Sequence, residues 1–334
     1  MFKSFISSNE NLYIEKVPKK CKINLNLTTN PLGPGINYEK MRFQKSYIEN
    51  YNEPGEMKEL KLKISECEST SEKNIMITAG ADQALEILLS HCLSENECVG
   101  IHEPTFSRFE IYAKNLCGAR ILHFKSLKNI PPCKVIVLCS PNNPSTVELK
   151  YDEIRKILEN NPDTAVIVDN VFFGYGKENL SSLVKEFGNL FLIKSFSKLY
   201  GLPGLRVGWI ESREENISKL EIGISPFRAS YLNQFIALKS LENPKHIQKS
   251  LEYVRAEFSK IKSELKDRVV RESNVPFFLF KTGNPKKDRD FLFNQGINVI
   301  DSTYFNNADF GFLRISLGTP EENREVMHAL KRII

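Results

Sequence analysis

Ile193-Lys194-Ser195-Phe196-Ser197-Lys198-Leu199-Tyr200-Gly201-Leu202-Pro203-Gly204-Leu205-Arg206-Val207-Gly208-Trp209 is the stretch that decides the fold. An apolar run, Leu190 to Ile193, enters it, and a second, Val207 to Ile210, leaves it. The pattern predicts two strands joined by a turn. The turn carries Ser195, Ser197, Lys198 and Arg206, and hydroxyls and cations on such a turn suit an anion. A lysine beside a fixed cation has its ammonium form disfavoured, which leaves a nucleophilic amine. A basic surface turn would also account for Lys198, but not for the two apolar runs that bury its ends.

Composition bounds the rest. At 334 residues, 41% of them hydrophobic, the chain can build one large or two moderate domains. The net charge of +5 is mild, and the lysines form no basic block with interleaved aromatics, so nucleic acid is not implied. The longest apolar runs, such as Val135 to Cys139, are too short to span a membrane. Residues 1–10 lack the apolar core of a signal peptide. Seven cysteines without Cys-x-x-Cys spacing read as reduced thiols of a cytoplasmic protein. The five histidines are scattered and give no metal signature.

The Ser-x-Ser-Lys pattern followed by Gly-Leu-Arg-Val-Gly resembles the cofactor segment of class I/II aminotransferases, fold-type I enzymes that use pyridoxal phosphate (PLP). The resemblance implies an α/β fold. A large domain, 45–240, would hold a mostly parallel sheet. A smaller α+β domain, 241–334, would be completed by the N-terminal segment, 1–44. It implies that Lys198 carries the cofactor covalently and that Ser195, Ser197 and Arg206 hold its phosphate.

Outward from that stretch, further matches fall in order. Ala165 to Val168 reads as a buried strand that presents Asp169 at its carboxyl end, where open α/β sheets bind ligands. A helix-capping Asp is the plain alternative; the resemblance makes Asp169 the partner of the cofactor's ring nitrogen. Val135 to Cys139 is another strand covered on both faces. It delivers Ser140-Pro141-Asn142-Asn143-Pro144, and Asn143 matches the donor to the ring oxygen. Asn74 to Thr78 reads as a strand and leads into Gly80-Ala81-Asp82 and a helix, a small-residue turn with free N–H groups for a phosphate. Without the resemblance, an ordinary glycine turn with an Asp cap explains that turn as well. Phe106 matches the aromatic residue stacked on the ring, or else is a core phenylalanine. Tyr51 matches a tyrosine that reaches the partner subunit's cofactor phosphate, which implies a homodimer with shared active sites; a surface-turn tyrosine is the other reading.

Three substrate-side residues are expected. Asn30, in Asn30-Pro31-Leu32-Gly33, is similar to a substrate loop shared by histidinol-phosphate aminotransferases and threonine-phosphate decarboxylases. Arg314, in Phe312-Leu313-Arg314-Ile315-Ser316, matches the arginine that forks onto the substrate carboxylate. Arg228 is a candidate for a substrate anion, against a solvated arginine at a helix start.

Departures from the pattern matter equally. Asn143-Pro144 continues with Ser145-Thr146 where relatives have Thr-Gly. Phe172 stands where many aminotransferases place a tyrosine, and it resembles the decarboxylases, as does Pro203-Gly204-Leu205-Arg206. Ile300 replaces an arginine that binds the phosphate of histidinol phosphate. The resemblance therefore implies amino transfer from a glutamate-like donor to a small keto compound, with decarboxylation of a phospho-amino acid as the alternative. A non-catalytic PLP-fold regulator would commonly lack the lysine or add a DNA-binding domain, and neither feature is seen.

Overall fold

The computed structural model describes residues 21–51 and 56–333. Residues 1–20 of the expected N-terminal segment and residues 52–55 of the Tyr51 loop lie outside the described residues. In chain order the strands are β1 Ile23–Asn24, β2 Ile75–Thr78, β3 Cys98–His102, β4 Arg120–Phe124, β5 Val135–Cys139, β6 Ala165–Asp169, β7 Leu190–Ser195 and β8 Gly208–Glu211. They continue with β9 Phe277–Lys281, β10 Ile297–Asn298, β11 Ile300–Asp301 and β12 Phe312–Ser316. The helices are α1 Ser46–Glu49, α2 Lys58–Glu68, α3 Gly80–Cys92, α4 Arg108–Cys117, α5 Tyr151–Asn160 and α6 Ser181–Glu186. After them come α7 Glu214–Ile222, α8 Tyr231–Leu241, α9 Pro244–Leu265, α10 Pro285–Asn294 and α11 Pro320–Leu330.

A 7-stranded sheet of order β2-β8-β7-β6-β5-β3-β4 forms the centre. β4, β3, β5, β6 and β7 run parallel, whereas β8 is antiparallel to both β7 and β2. Every residue of β5 and β7 is buried. Strands covered by helices on both faces need mostly apolar side chains; β5 supplies them throughout, and β7 does so up to Ile193, before the buried Lys194 and Ser195. The parallel arrangement points the ends of β5, β6 and β7 the same way, so the residues that follow each strand gather at one edge.

The C-terminal part is built separately. Its antiparallel sheet has the order β11-β12-β9, and β1 pairs in parallel with β10. The run Ile297 to Ile300 reads as one strand in the sequence. Here it is split: Ile297 and Asn298 pair with β1, and Ile300 and Asp301 pair with β12. The Leu25 N–H donates to the Asn298 carbonyl at 2.9 Å, and the Ser316 N–H donates to the Leu25 carbonyl at 3.0 Å. The N-terminal segment is thus stitched into the C-terminal layer, which aims Leu27 and Thr28 at the large sheet. α9 begins at Pro244, where no N–H is needed, and Asn243 caps it. Thr319 and Glu322 form a capping box at the start of α11.

α3 starts at Gly80, so the small-residue turn is the first turn of the helix. α6 had no clear signal in the sequence. No helix among the described residues is long and apolar enough to cross a membrane. All seven cysteines are free thiols.

Candidate active site

Beyond the ends of β5, β6 and β7 lies a cavity of ≈ 260 Å³. Asn143, Asp169, Ser195, Ser197, Lys198 and Arg206 all line it. Ala81 and Asp82 line it from α3, and Phe106 from the loop after β3.

Lys198 is partly buried, and its Nζ donates to the Thr28 Oγ1 at 2.9 Å and to the Leu27 carbonyl at 3.1 Å. Burial pushes its pKa down to about 8; Asp169 and Asp82 oppose the shift, and Arg206 adds to it. The neighbouring cation expected from the sequence therefore contributes less than desolvation does. The Asp169 carboxyl is buried and accepts the Val171 N–H at 3.1 Å. Burial raises its pKa to about 7, with a smaller upward push from Asp82 and a downward pull from Lys198.

The turn is built for close approach. The Ser195 and Ser197 hydroxyls are 2.9 Å apart. Arg206 takes a left-handed conformation, donates to the Pro203 carbonyl at 3.2 Å and pairs with Asp82 at 3.1 Å. Gly80 has φ +81°, and a Cβ there would lie 2.6 Å from the Arg206 Nη2. Only glycine leaves that space open while tolerating the backbone.

Phe172 is buried, and the Lys198 Nζ lies 5.7 Å from its ring centre. Phe106 packs edge-to-face on Phe109. Its loop is tied down by Glu103, which accepts the Thr105 N–H at 3.1 Å and pairs with His123 at 3.1 Å. Glu103, Glu110 and His123 bring their polar atoms within 4.8 Å of one another, and Glu103 and Glu110 both face His123 as its ion-pair partners.

Arg314 is fully buried between Phe277 and Phe305, at 5.6 and 5.8 Å from the ring centres. It donates to the Asn143 Oδ1 at 2.8 Å and to the Asn26 carbonyl. Burial lowers its pKa to about 9. It stands behind Asn143, which links it directly to the cavity wall.

Five expected residues, Arg314, Asn30, Arg228, Tyr51 and Gly80, do not line this cavity. Asn30 is buried, and its amide donates to the Leu199 carbonyl at 2.7 Å and the Ser250 hydroxyl at 3.0 Å. Its oxygen accepts the Leu32 N–H, so it braces the Lys198 turn against α9. Arg228 donates to the Ile77 carbonyl, the Ser225 carbonyl and Glu56, which fixes the edge of β2. Both side chains spend their donors on the frame. Tyr51 is 85% exposed and packs on Phe227. Gly80 lies beneath the cavity rather than in its wall. Conversely, Leu27, Thr28 and Arg108 line the cavity without having been singled out in the sequence. Leu27 ends the alternating run Ile23-Asn24-Leu25-Asn26-Leu27, which reads as a short strand, and Thr28 follows it, a usable signal; Arg108 had none.

Comparison with known proteins agrees with this geometry. The family model for aminotransferase class I and II matches residues 48–330. A histidinol-phosphate aminotransferase of Methanosarcina mazei is 29% identical over 324 residues, covering 92% of this chain and 87% of that protein. The structure of a histidinol-phosphate aminotransferase from Sinorhizobium meliloti in complex with pyridoxal-5'-phosphate superimposes with a TM-score of 0.79 at 15% identity, covering 94% and 90%. That of L-threonine-O-3-phosphate decarboxylase from Porphyromonas gingivalis gives 0.72 at 23% identity, covering 93% and 98%. With the match running from α1 to the end of α11, the chain belongs to the class I and II aminotransferases, enzymes that depend on pyridoxal phosphate.

Proposed function

We propose that this enzyme moves an amino group from a glutamate-like amino acid to a small keto compound, with Lys198 as the catalytic base. The observation that carries the reading is the Lys198 amine, brought to a pKa of about 8 in the same cavity as the buried Asp169. A base titrating near the working pH is present as free amine yet still accepts a proton well.

The residues fit PLP on their own chemistry. Gly80 leaves room beneath Arg206, and Ala81, Asp82, Ser195, Ser197 and Arg206 offer N–H, hydroxyl and guanidinium donors to a phosphate. Asn143 would hold the ring oxygen, Phe106 would cover a ring face and exclude water, and Asp169 would keep a proton on the ring nitrogen. When bound, PLP supplies an electron-withdrawing ring that spreads negative charge away from the substrate Cα. Lys198 Nζ would take the proton from the substrate Cα and hold it on its amine for return. Arg314, through its link to Asn143, orients the substrate carboxylate so that this proton, and not CO₂, is the group that leaves.

Ile300 supports a substrate pair other than one containing the histidinol phosphate in the relatives' name. It is packed in an apolar cluster with Leu279, Phe305 and Phe312. Phe172 beside Lys198 favours the second reading, decarboxylation of a phospho-amino acid. The exposed Tyr51 supports a homodimer in which each subunit completes the other's site, and seven free thiols support a cytoplasmic setting. We take the large domain as 45–240, with 1–44 and 241–334 forming the small one. Glutamate given to the holoenzyme should yield 2-oxoglutarate and no CO₂. If no amino donor gives a keto acid while a phosphorylated amino acid loses CO₂ with turnover, the enzyme is a decarboxylase.

A further inference from the structure

Resting on the amino-transfer reading, we propose that Arg108 selects substrates carrying a second oxyanion beyond the α-carboxylate. Arg108 opens α4 and lines the same cavity as Lys198 and Asp169. The other cations there are engaged. Arg206 pairs with Asp82, and Lys198 is held by Leu27 and Thr28. Arg314, behind the wall, is bonded to Asn143 and Asn26. Among the described residues Arg108 has no hydrogen bond or ion pair, and its guanidinium rests 5.6 Å from the Tyr112 ring centre. The same wall carries the apolar Leu85, Phe106 and Phe109. A half-buried guanidinium there has five N–H donors in a planar fork, which matches a carboxylate or a phosphate monoester.

A second observation narrows the choice. Ile300, the position where the sequence departs from a phosphate-binding arginine, is buried among Leu279, Phe305 and Phe312 and is absent from the cavity wall. A distal anion finds no partner on β11. With Arg206 placed for the cofactor phosphate and Lys198 for the reacting carbon, Arg108 is the remaining cation of the wall. It is a specificity residue, because it meets the far end of the substrate and not the bond that breaks.

The test is calorimetry on the holoenzyme with three unreactive probes: glutarate, 3-phosphonopropionate and butyrate. Wild type should bind at least one dianion more tightly than butyrate, and whichever it prefers identifies a carboxylate or a phosphate as the distal group. Arg108→Leu should weaken that dianion roughly 10- to 100-fold, the usual effect of hydrogen bonds to a charged group, and change butyrate by less than about twofold. Arg108→Lys, which keeps the charge but not the fork, should fall between them, and retained cofactor colour checks that each variant is intact. The proposal is overturned if wild type shows no preference for a dianion. Equal weakening of butyrate, or an unchanged dianion, overturns it too. Because the probes do not react, dianion binding through Arg108 in a protein that converts no amino donor would refute the transfer reading and leave this one standing.

Discussion

Lys194 and Lys198 leave the same strand and meet opposite surroundings. Lys194 is fully buried and pairs with Glu68 at 2.5 Å and Glu211 at 3.0 Å, with the Ser181 hydroxyl at 2.6 Å. Burial pushes its ammonium toward neutrality, but Glu211 and Glu68 overcome that and hold its pKa above the ordinary lysine value. Lys198 lies beyond the end of the strand, where among the described residues its amine is hydrogen-bonded to a hydroxyl and a carbonyl, and its pKa falls. The same side chain becomes a structural cation where two carboxylates bond it and a base where the nearest carboxylates, Asp169 and Asp82, act only at a distance. Burial alone does not make a lysine reactive; burial without a bonded carboxylate does.

The largest expected effect separates the two at once. Lys198→Ala should cut turnover by about 10³- to 10⁴-fold, the range of a positioned base, and should abolish borohydride fixation of the yellow cofactor. Its unfolding free energy should stay within about 1 kcal/mol of wild type, since only hydrogen bonds to Leu27 and Thr28 are lost. Persisting covalent attachment in Lys198→Ala would break the comparison outright.

Lys194→Ala should do the reverse. Removing one member of a buried ion cluster strands Glu68 and Glu211, at a cost of about 3–5 kcal/mol in urea unfolding. A variant that also carries Glu68→Gln and Glu211→Leu, with Met at position 194, should recover most of that loss, because no charge is then left unpaired. If Lys194→Ala is as stable as wild type, the carboxylates are not what sets the two lysines apart.

How much of this was legible follows from how local each signal is. The turn from Ser195 to Arg206 could be read directly, because its strands, hydroxyls and cations are contiguous. Asp169 could be read because an apolar strand announces its end. The Lys194 cluster could not, since Glu68 lies on α2, far away in sequence, and a lone lysine in a strand suggests nothing. Asn30 and Arg228 were read as substrate contacts from their motifs, but a motif does not say where an amide or guanidinium spends its hydrogen bonds. Arg108 escaped for the converse reason: it stands out only once every other cation in the cavity is seen to be occupied. The run Ile297 to Ile300 was read as one strand because hydropathy cannot tell that its two halves pair with different partners.

Asp169 sharpens the comparison from the carboxylate side. Its folded pKa of about 7 lies above the ordinary 3.8, so the folded chain holds the proton more tightly than the unfolded one. That stabilisation is present at low pH and is lost as pH rises through about 7. Asp169→Asn has no such group. In the cofactor-free proteins, the stability of wild type relative to Asp169→Asn should fall by about 2–3 kcal/mol between pH 5 and 7, at roughly 1.4 kcal/mol per unit. Urea midpoints at the two pH values measure it. A difference that does not change with pH would mean that Asp169 is ionised throughout, and then Lys198 has a charged carboxylate beside it after all.

The smallest effect tests whether the turn, unlike the Lys194 cluster, is finished by another chain. Glu68, Ser181 and Glu211 satisfy Lys194 within one subunit. The anion site around Arg206 is open to the cavity, and Tyr51, expected to serve such a site, lies exposed on the surface of its own chain. An exposed hydroxyl that reaches a partner's phosphate contributes one hydrogen bond, so Tyr51→Phe should weaken cofactor retention by about 1 kcal/mol, roughly fivefold in Kd. The loss should appear only under conditions where the wild type is dimeric, because a separated subunit has no hydroxyl to lose. Cofactor titration at protein concentrations above and below the dimer dissociation point distinguishes the cases. A monomer that retains cofactor as tightly as the dimer, or a Tyr51→Phe dimer with unchanged Kd, would show that the turn closes its own site, and the exposed tyrosine would then be a surface residue packed on Phe227.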